Sequence, residues 1–263
     1  MPLGGKLVVV TGAASGIGAA VVTAATAQGA EVIGLDRDTS RPGVLPIDLC
    51  DETSIERACN ELPDRIDVLC NVAGVPGTAP AETVLAANFL GLRHLTMQLQ
   101  PRLGASVVNV ASAAGSQWAD VIAPLGELLE TGSIAEGLRW YEKCPPEMPV
   151  YNFSKAAVIV WTMRTAWAWR TAGIRMNTVS PGAIQTPILP DFRATMGPVL
   201  DKVELLTGRH GRPEEIAEIV CFLASPEASW VNGADVLADG GFISAVRSGG
   251  MDTTALAAEA RHG

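Results

Sequence analysis

Short, nearly continuous apolar runs alternate with longer helical patterns along the whole chain. The runs are KLVVV (6–10), EVIGLD (31–36), GVLPID (43–48), IDVLCNVAG (66–74), ASVVNVAS (105–112), IRMNTVSPG (174–182) and ADVLADGG (234–241). Their leading halves lack the polar-apolar alternation of a half-exposed strand, so they predict strands buried on both faces of a parallel sheet. Segments such as IGAAVVTAATAQGA and PEEIAEIVCFLASPEAS lie between them. This β-α-β-α order predicts one α/β domain over residues 1–263, a doubly wound sheet with helices on both faces. The rhythm breaks at 113–150. There Val121, Ile122, Leu125, Leu128 and Leu129 have the spacing of one helix, and Ile134, Leu138 and Tyr141 that of a second, ahead of Pro145-Pro146. The segment reads as a helical insertion. From Arg247 onward the chain is rich in glycine and small residues, the composition of a loosely held tail.

Composition narrows the function classes. A net charge of −9 repels phosphate backbones and anionic lipid heads, which argues against nucleic acid and membrane as partners. The five cysteines are scattered, with no CxxC or Cys/His spacing, as expected of reduced thiols in a cytoplasmic protein without a metal. The start MPLGGKLVVV has no signal-peptide layout, and no later run reaches the roughly 18 apolar residues of a membrane span.

TGAASGIG follows the first predicted strand and opens a helix. Glycines there let the backbone approach a pyrophosphate, whose charge meets unpaired N–H groups at the helix start. Gly12, Gly16 and Gly18 are the working glycines, with Ser15 and Ile17 between them. By itself such a turn is also a plain tight connection; its context favours a dinucleotide. Asp36 ends the second strand, where a carboxylate accepts from both hydroxyls of an adenine ribose and repels a 2′-phosphate, so NAD is expected over NADP. Arg37 and Arg41 partly offset that repulsion. Asp48 with Leu49, and Asn71 to Gly74 including Ala73, close the next two strands and are expected around the adenine and its ribose.

VYNFSKAAVIVW sets Tyr151 four positions before Lys155, a little over one helical turn, in a chain with two tyrosines and four lysines. A phenol near pKa ~10 is a poor base at neutral pH. An adjacent ammonium and a cationic nicotinamide both favour phenolate, which would make Tyr151 a proton acceptor. Lys155 can also hold the nicotinamide ribose. Ser112, at the end of NVAS, can bond the reacting oxygen, although a lone serine at a strand end is more often a turn residue.

Taken in order, TGAASGIG, Asp36, Asp48, NVAG, Asn88 in AANFLG, NVAS, YNFSK and SPGAIQT resemble the short-chain dehydrogenase/reductase family from Leu7 to about Gly241. The resemblance implies a seven-stranded Rossmann sheet and a tetrad of Asn88, Ser112, Tyr151 and Lys155, with Asn88 positioning a water at the lysine. It also implies that Pro181, Gly182, Ile184 and Thr186 line the nicotinamide. Two departures stand out: Val72 replaces a second asparagine that the family often has, and Tyr151 lies 39 positions after Ser112, far beyond the usual interval. That excess is similar to the branch of coniferyl-alcohol dehydrogenases and 3α-hydroxysteroid dehydrogenase/carbonyl reductases.

A pocket wall is expected from Trp118 and Trp140 in the insertion, with Tyr141 and Met148, and from Ile188, Leu189, Phe192 and Met196 after the PG turn. Such walls suit a bulky aromatic, allylic, terpenoid or steroid alcohol, although the same residues could form a core face or an interface. The expected activity is NAD-dependent interconversion of a bulky apolar alcohol and its carbonyl. The rival of another class is a dinucleotide sensor without turnover. A homo-oligomer is expected, with the insertion favouring a dimer over a tetramer.

Overall fold

The computed structural model describes residues 1–250, with the side chains of Thr195, Met196, Pro198, Val199 and Lys202 outside the described set. The wall expected of Met196 and most of the expected tail therefore lie outside the described residues. In chain order the elements are β1 (Leu7–Thr11), α1 (Gly16–Ala27), β2 (Glu31–Asp36), β3 (Val44–Pro46), α2 (Glu52–Glu61) and β4 (Ile66–Asn71). There follow α3 (Ala81–Leu85), a π-helical turn (Ala86–Leu90), α4 (Gly91–Leu99), β5 (Leu103–Val110), α5 (Ile122–Leu129), α6 (Ile134–Lys143) and α7 (Val150–Trp169). The chain continues through β6 (Arg175–Pro181), α8 (Leu189–Met196), α9 (Pro198–Thr207), α10 (Pro213–Ala224), β7 (Asp235–Ala238) and α11 (Phe242–Arg247).

The seven strands form one parallel sheet in the order β3-β2-β1-β4-β5-β6-β7. Every apolar run of the sequence supplies a strand. Central β4 is buried throughout, as its unbroken apolar pattern requires. The edge strands are shorter than their runs. β3 stops at Pro46, which has no N–H to extend a ladder.

One apolar cluster joins the sheet to α2, α4, α5 and α7, and another joins it to α1 and α10. Strand order reverses between β1 and β4, so their carboxyl ends frame the crevice where open α/β sheets bind ligands. Register places Thr11 opposite both Leu35 and Asn71, and Asn71 opposite Asn109.

Segment 113–150 folds as the two expected helices, α5 and α6, and is rooted in the body of the fold. Buried Arg93 on α4 donates to the Leu128 and Leu129 carbonyls at 3.3 Å and to Thr131 Oγ1 at 3.1 Å, meeting the acceptors that end α5. Glu52 on α2 accepts from the Ile134 N–H at 2.7 Å, where α6 begins. Charged side chains thus fill the open backbone valences at two helix ends.

Candidate active site

Where β1 ends, the chain turns through Gly12 (φ +72°) and Gly16 (φ +52°) into α1. A Cβ at Gly12 would fall 2.9 Å from the backbone of Ala73, and one at Gly18 would run into the Gly12 carbonyl. Only glycine fits at either place. α1 begins after extended Ser15, with neither a side-chain cap nor an acidic residue in its first turn. Its leading N–H groups are therefore left for an anion.

A cleft of ≈290 Å³ opens over this turn, lined by Gly12, Ser15, Gly16, Ile17, Gly18, Asp36, Asp48, Leu49, Ala73, Gly74 and Thr186, and by Arg37, Cys50, Pro187 and Ile188. Asp36 is fixed there: its carboxylate accepts from the Ala14 N–H at 2.9 Å and the Asp38 N–H at 3.0 Å. Asp48 is held by accepting from the Cys50 N–H at 2.9 Å.

Asn71 departs from its expected place beside the adenine. It is buried, and its Nδ2 donates to Thr96 Oγ1 and Asn109 Oδ1, both at 2.8 Å, while its Oδ1 lies buried without a partner. A residue at a strand end faces either the crevice or the core, and this one faces the core. The following residues of the same turn, Val72, Ala73 and Gly74, line the cleft instead. The Thr11 hydroxyl fastens that turn by accepting from the Val72 and Ala73 N–H groups at 3.0 and 3.1 Å. This bond does not depend on the side chain at 72, so valine is tolerated there.

Beyond Gly74, which lines the cleft, α7 carries Tyr151 and Lys155 on one face. Lys155 is 4% exposed; its Nζ lies 5.9 Å from the centre of the Tyr151 ring and donates to the Val110 carbonyl at 3.1 Å. Ser112 Oγ caps the short turn Ala113–Gly115 by accepting from the Ala114 N–H at 3.2 Å, and its hydroxyl lies near enough to the Tyr151 phenol to favour phenolate. Gly115 makes this possible. A Cβ there would sit 2.7 Å from the backbone of Lys155 and Ala156, so only glycine lets the turn lie against α7.

Asn88 occupies the π-helical turn, buried, accepting from the Val75 N–H at 2.8 Å and donating to the Val75 carbonyl at 3.1 Å. A Cβ on Gly74 would lie 3.1 Å from Asn88 Oδ1 and 3.4 Å from Lys155 Nζ, so the three meet at one point. Ser154 joins them: its Oγ donates to the Tyr151 carbonyl at 2.7 Å and lies 3.4 Å from Asn88 Nδ2. Thr11 and Ser154 escaped the sequence reading, because a hydroxyl beside a motif carries no signal until its partner is known.

Burial dominates the electrostatics of the pair. Burial pushes the Tyr151 phenol up to about 12, opposed by the Ser112 hydroxyl, and burial brings the Lys155 ammonium down to about 8. Both charged forms lose hydration on burial.

Beyond the strands, a Cβ on Gly182 would meet Asp239, also at 2.9 Å, and Gly16 lies against Thr186, which brings the post-β6 loop over the glycine turn. Pro181 is buried at the end of β6, and the Ile184 side chain is buried against Gly211, so neither lines the cleft. Among the expected wall residues, Ile188 lines the cleft, Leu189 lines a neighbouring surface hollow, and Phe192 meets the Tyr151 ring edge-on at 5.1 Å. Trp118 and Trp140 do not join them. Trp140 stacks on Phe153 at 6.0 Å and donates to Glu127 at 3.0 Å, and both tryptophans pack against the large apolar cluster. Trp118 stands in the turn that leads into α5 and Trp140 on the core-facing side of α6. Among the described residues no cluster of histidine, cysteine, aspartate or glutamate has the makings of a metal site. No described helix is long and apolar enough to cross a membrane.

Comparison with known proteins gives the arrangement its relatives. Residues 12–243 match the family model described as enoyl-(acyl carrier protein) reductase. Coniferyl-alcohol dehydrogenase of Pseudomonas sp. (strain HR199 / DSM 7063) is 38% identical over 93% of this chain and 99% of its own. 3-alpha-hydroxysteroid dehydrogenase/carbonyl reductase of Comamonas testosteroni is 32% identical over 92% of this chain and 98% of its own. The crystal structure of the 3-alpha-hydroxysteroid dehydrogenase from Pseudomonas sp. B-0831 complexed with NADH superposes with a TM-score of 0.81, at 30% identity, over 92% of this chain and 99% of that one. With the parallel seven-stranded sheet, the glycine turn and the Ser112, Tyr151 and Lys155 cluster, these likenesses make the chain an oxidoreductase that belongs to the short-chain dehydrogenase/reductase family.

Proposed function

We propose that the protein is an NAD-dependent alcohol dehydrogenase that interconverts a bulky apolar alcohol of the coniferyl-alcohol kind and its carbonyl. The observation that carries this reading is the Tyr151 phenol, with the Ser112 hydroxyl near it and buried Lys155 one helical turn on, joined through Gly74 beside the lysine to the cleft over the glycine turn.

A dinucleotide fits the residues present. Gly12 and Gly18 have no room for a side chain, the first turn of α1 offers unpaired N–H groups, and the Asp36 carboxylate is held toward the cleft by two backbone donors. That carboxylate supports NAD over NADP by charge repulsion of a 2′-phosphate. When bound, the nicotinamide supplies the hydride acceptor. Ser112 holds the alcohol oxygen by a hydrogen bond and orients it toward the phenol. Tyr151 takes the hydroxyl proton at its Oη, for which it must ionise, so oxidation accelerates as pH rises. Lys155 holds the ribose end and keeps positive charge at the phenol. Asn88 and Gly74 fix the lysine's surroundings.

Phe192, edge-on to Tyr151, and Ile188 supply apolar contact suited to an aromatic or polycyclic substrate. The coniferyl-alcohol dehydrogenase at 38% identity supports the aromatic allylic class. The hydroxysteroid dehydrogenases support a 3α-hydroxysteroid or cyclic terpenol as the second reading. In the same reading the enzyme is a cytoplasmic homo-oligomer, consistent with five unpaired cysteines and with exposed Phe222 and Trp230. The test is a panel of coniferyl alcohol, 3α-hydroxysteroids and cyclic terpenols with NAD, followed at the NADH absorbance, beside Tyr151→Phe. Turnover is expected to drop about 100-fold or more in the variant while NAD still binds, and retained turnover refutes the assignment.

A further inference from the structure

The Ser112 turn has a second support that comes from the far end of the chain. Arg247, the last residue of α11, donates through Nη2 to the carbonyl of buried Ser116 at 2.5 Å. Its guanidinium also lies near Asp235 on β7, whose Oδ1 accepts from Thr178 Oγ1 at 2.8 Å and Ser180 Oγ at 2.6 Å on β6. α11 is aimed by Asp239, which accepts from the Gly241 and Ile243 N–H groups at 2.9 and 2.8 Å.

The gripped carbonyl is four residues from the Ser112 hydroxyl, and nothing between them is slack. Ser116 N–H donates to Ala113 at 3.1 Å, Gly115 N–H to the Ser112 carbonyl at 2.9 Å, and Ala114 N–H to Ser112 Oγ. Gly115 lies so close to the backbone of α7 that the turn cannot settle further inward. The carbonyl of Ser116 is in turn tied to Arg247.

We propose that Arg247 is a positioning residue for Ser112: from the C-terminal helix it holds the 112–116 turn against α7 and so keeps the Ser112 hydroxyl beside Tyr151. The inference rests on the reading that Ser112 and Tyr151 act together. It ties the catalytic turn to a helix that follows the last strand, and so gives the end of the chain a part in the chemistry.

The test uses the full chain, with Arg247→Ala removing the donor and Arg247→Lys keeping the charge and one donor. Activity is measured with NAD and whichever of coniferyl alcohol, a 3α-hydroxysteroid or a cyclic terpenol the wild type oxidises fastest. In Arg247→Ala kcat is expected to fall on the order of 10-fold, short of the ~100-fold of a full 1 Å misplacement, with KM for NAD unchanged. The pH at half-maximal rate is expected to rise, because the Ser112 hydroxyl, whose nearness favours phenolate, is less well placed. Arg247→Lys should recover most of both effects.

A second readout needs no turnover. Tyr141 and Tyr151 are the two tyrosines of the chain, so carbon-13 labelling at the phenol carbon gives two resonances that Tyr141→Phe assigns. Arg247→Ala should move the resonance of Tyr151 alone. A wild-type kcat, pH profile and resonance overturn the proposal, and so does a lower melting temperature with an unmoved pH profile. If the alanine variant fails to fold, Arg247→Gln carries the same comparisons. Loss of turnover in Tyr151→Phe beside wild-type behaviour in Arg247→Ala removes the clamp alone, whereas turnover in Tyr151→Phe removes the clamp and the reading beneath it.

Discussion

Replacing Lys155 by methionine is expected to make the cofactor-free protein more stable at neutral pH while ending its catalysis. The ammonium is buried and its pKa falls from 10.5 to about 8, through loss of hydration. At 1.36 kcal/mol per decade this corresponds to roughly 3 kcal/mol by which the folded state disfavours the charge. The sign follows from proton counting. Below pH 8 both folded and unfolded chains carry the proton, and the folded state bears the whole penalty. Between about 8 and 10.5 the unfolded chain holds one more proton, so stability rises with pH, and above 10.5 the penalty is gone.

Methionine has similar length and no charge, but it forfeits the bond to the Val110 carbonyl, at about 1 kcal/mol. The net gain is about 2 kcal/mol below pH 8, or roughly 4–8 °C in Tm for a chain of this size. Tyr151 works in the opposite sense at higher pH: its folded phenol stays protonated to about 12, so stability falls above pH ~10, equally in both proteins. Thermal melts of wild type and Lys155→Met without cofactor, between pH 6.5 and 10.5, are the assay. The difference should be largest at the acid end and shrink steadily as pH climbs. A variant less stable than wild type at pH 6.5, or a difference indifferent to pH, would refute the reasoning.

Further expectations concern the cleft and its surroundings. Asp36→Ala removes the acceptor of two backbone N–H groups and the repulsion of a 2′-phosphate, so Kd for NAD should rise about 10-fold and the preference over NADP shrink, as measured by fluorescence titration of both cofactors. Gly18→Ala drives a Cβ into the Gly12 carbonyl and should abolish dinucleotide binding, read by the same titration. Arg93→Ala strips the donors from the end of α5 and should cost about 3 kcal/mol in urea unfolding, with helix α5 losing amide-exchange protection first.

Most of the sheet was legible from hydrophobic continuity, because strands covered on both faces leave no polar positions to blur the pattern. The glycine turn, Asp36, Ser112, Tyr151 and Lys155 were legible because each stands at a strand end or helix start whose place the βα order dictates. What escaped reading depended on direction. Asn71 and the cleft-lining residues of its turn are neighbours in sequence, yet its side chain enters the core. Trp118 and Trp140 have the composition of a pocket wall, yet both pack against the large apolar cluster, Trp140 from α6 by stacking on Phe153 of α7. The protonation balance of Tyr151 was likewise hidden, since a four-residue interval specifies adjacency and says nothing of burial.

The two roots of segment 113–150 set a rule for engineering. Glu52 and Arg93 lie far upstream of the helices they hold, in elements that any fold of this kind would possess. A transplant of the segment into a shorter homologue would arrive with bare helix ends unless an acid and a guanidinium were installed at the equivalent sites. Recombination breakpoints chosen only at the edges of the segment would sever it from both.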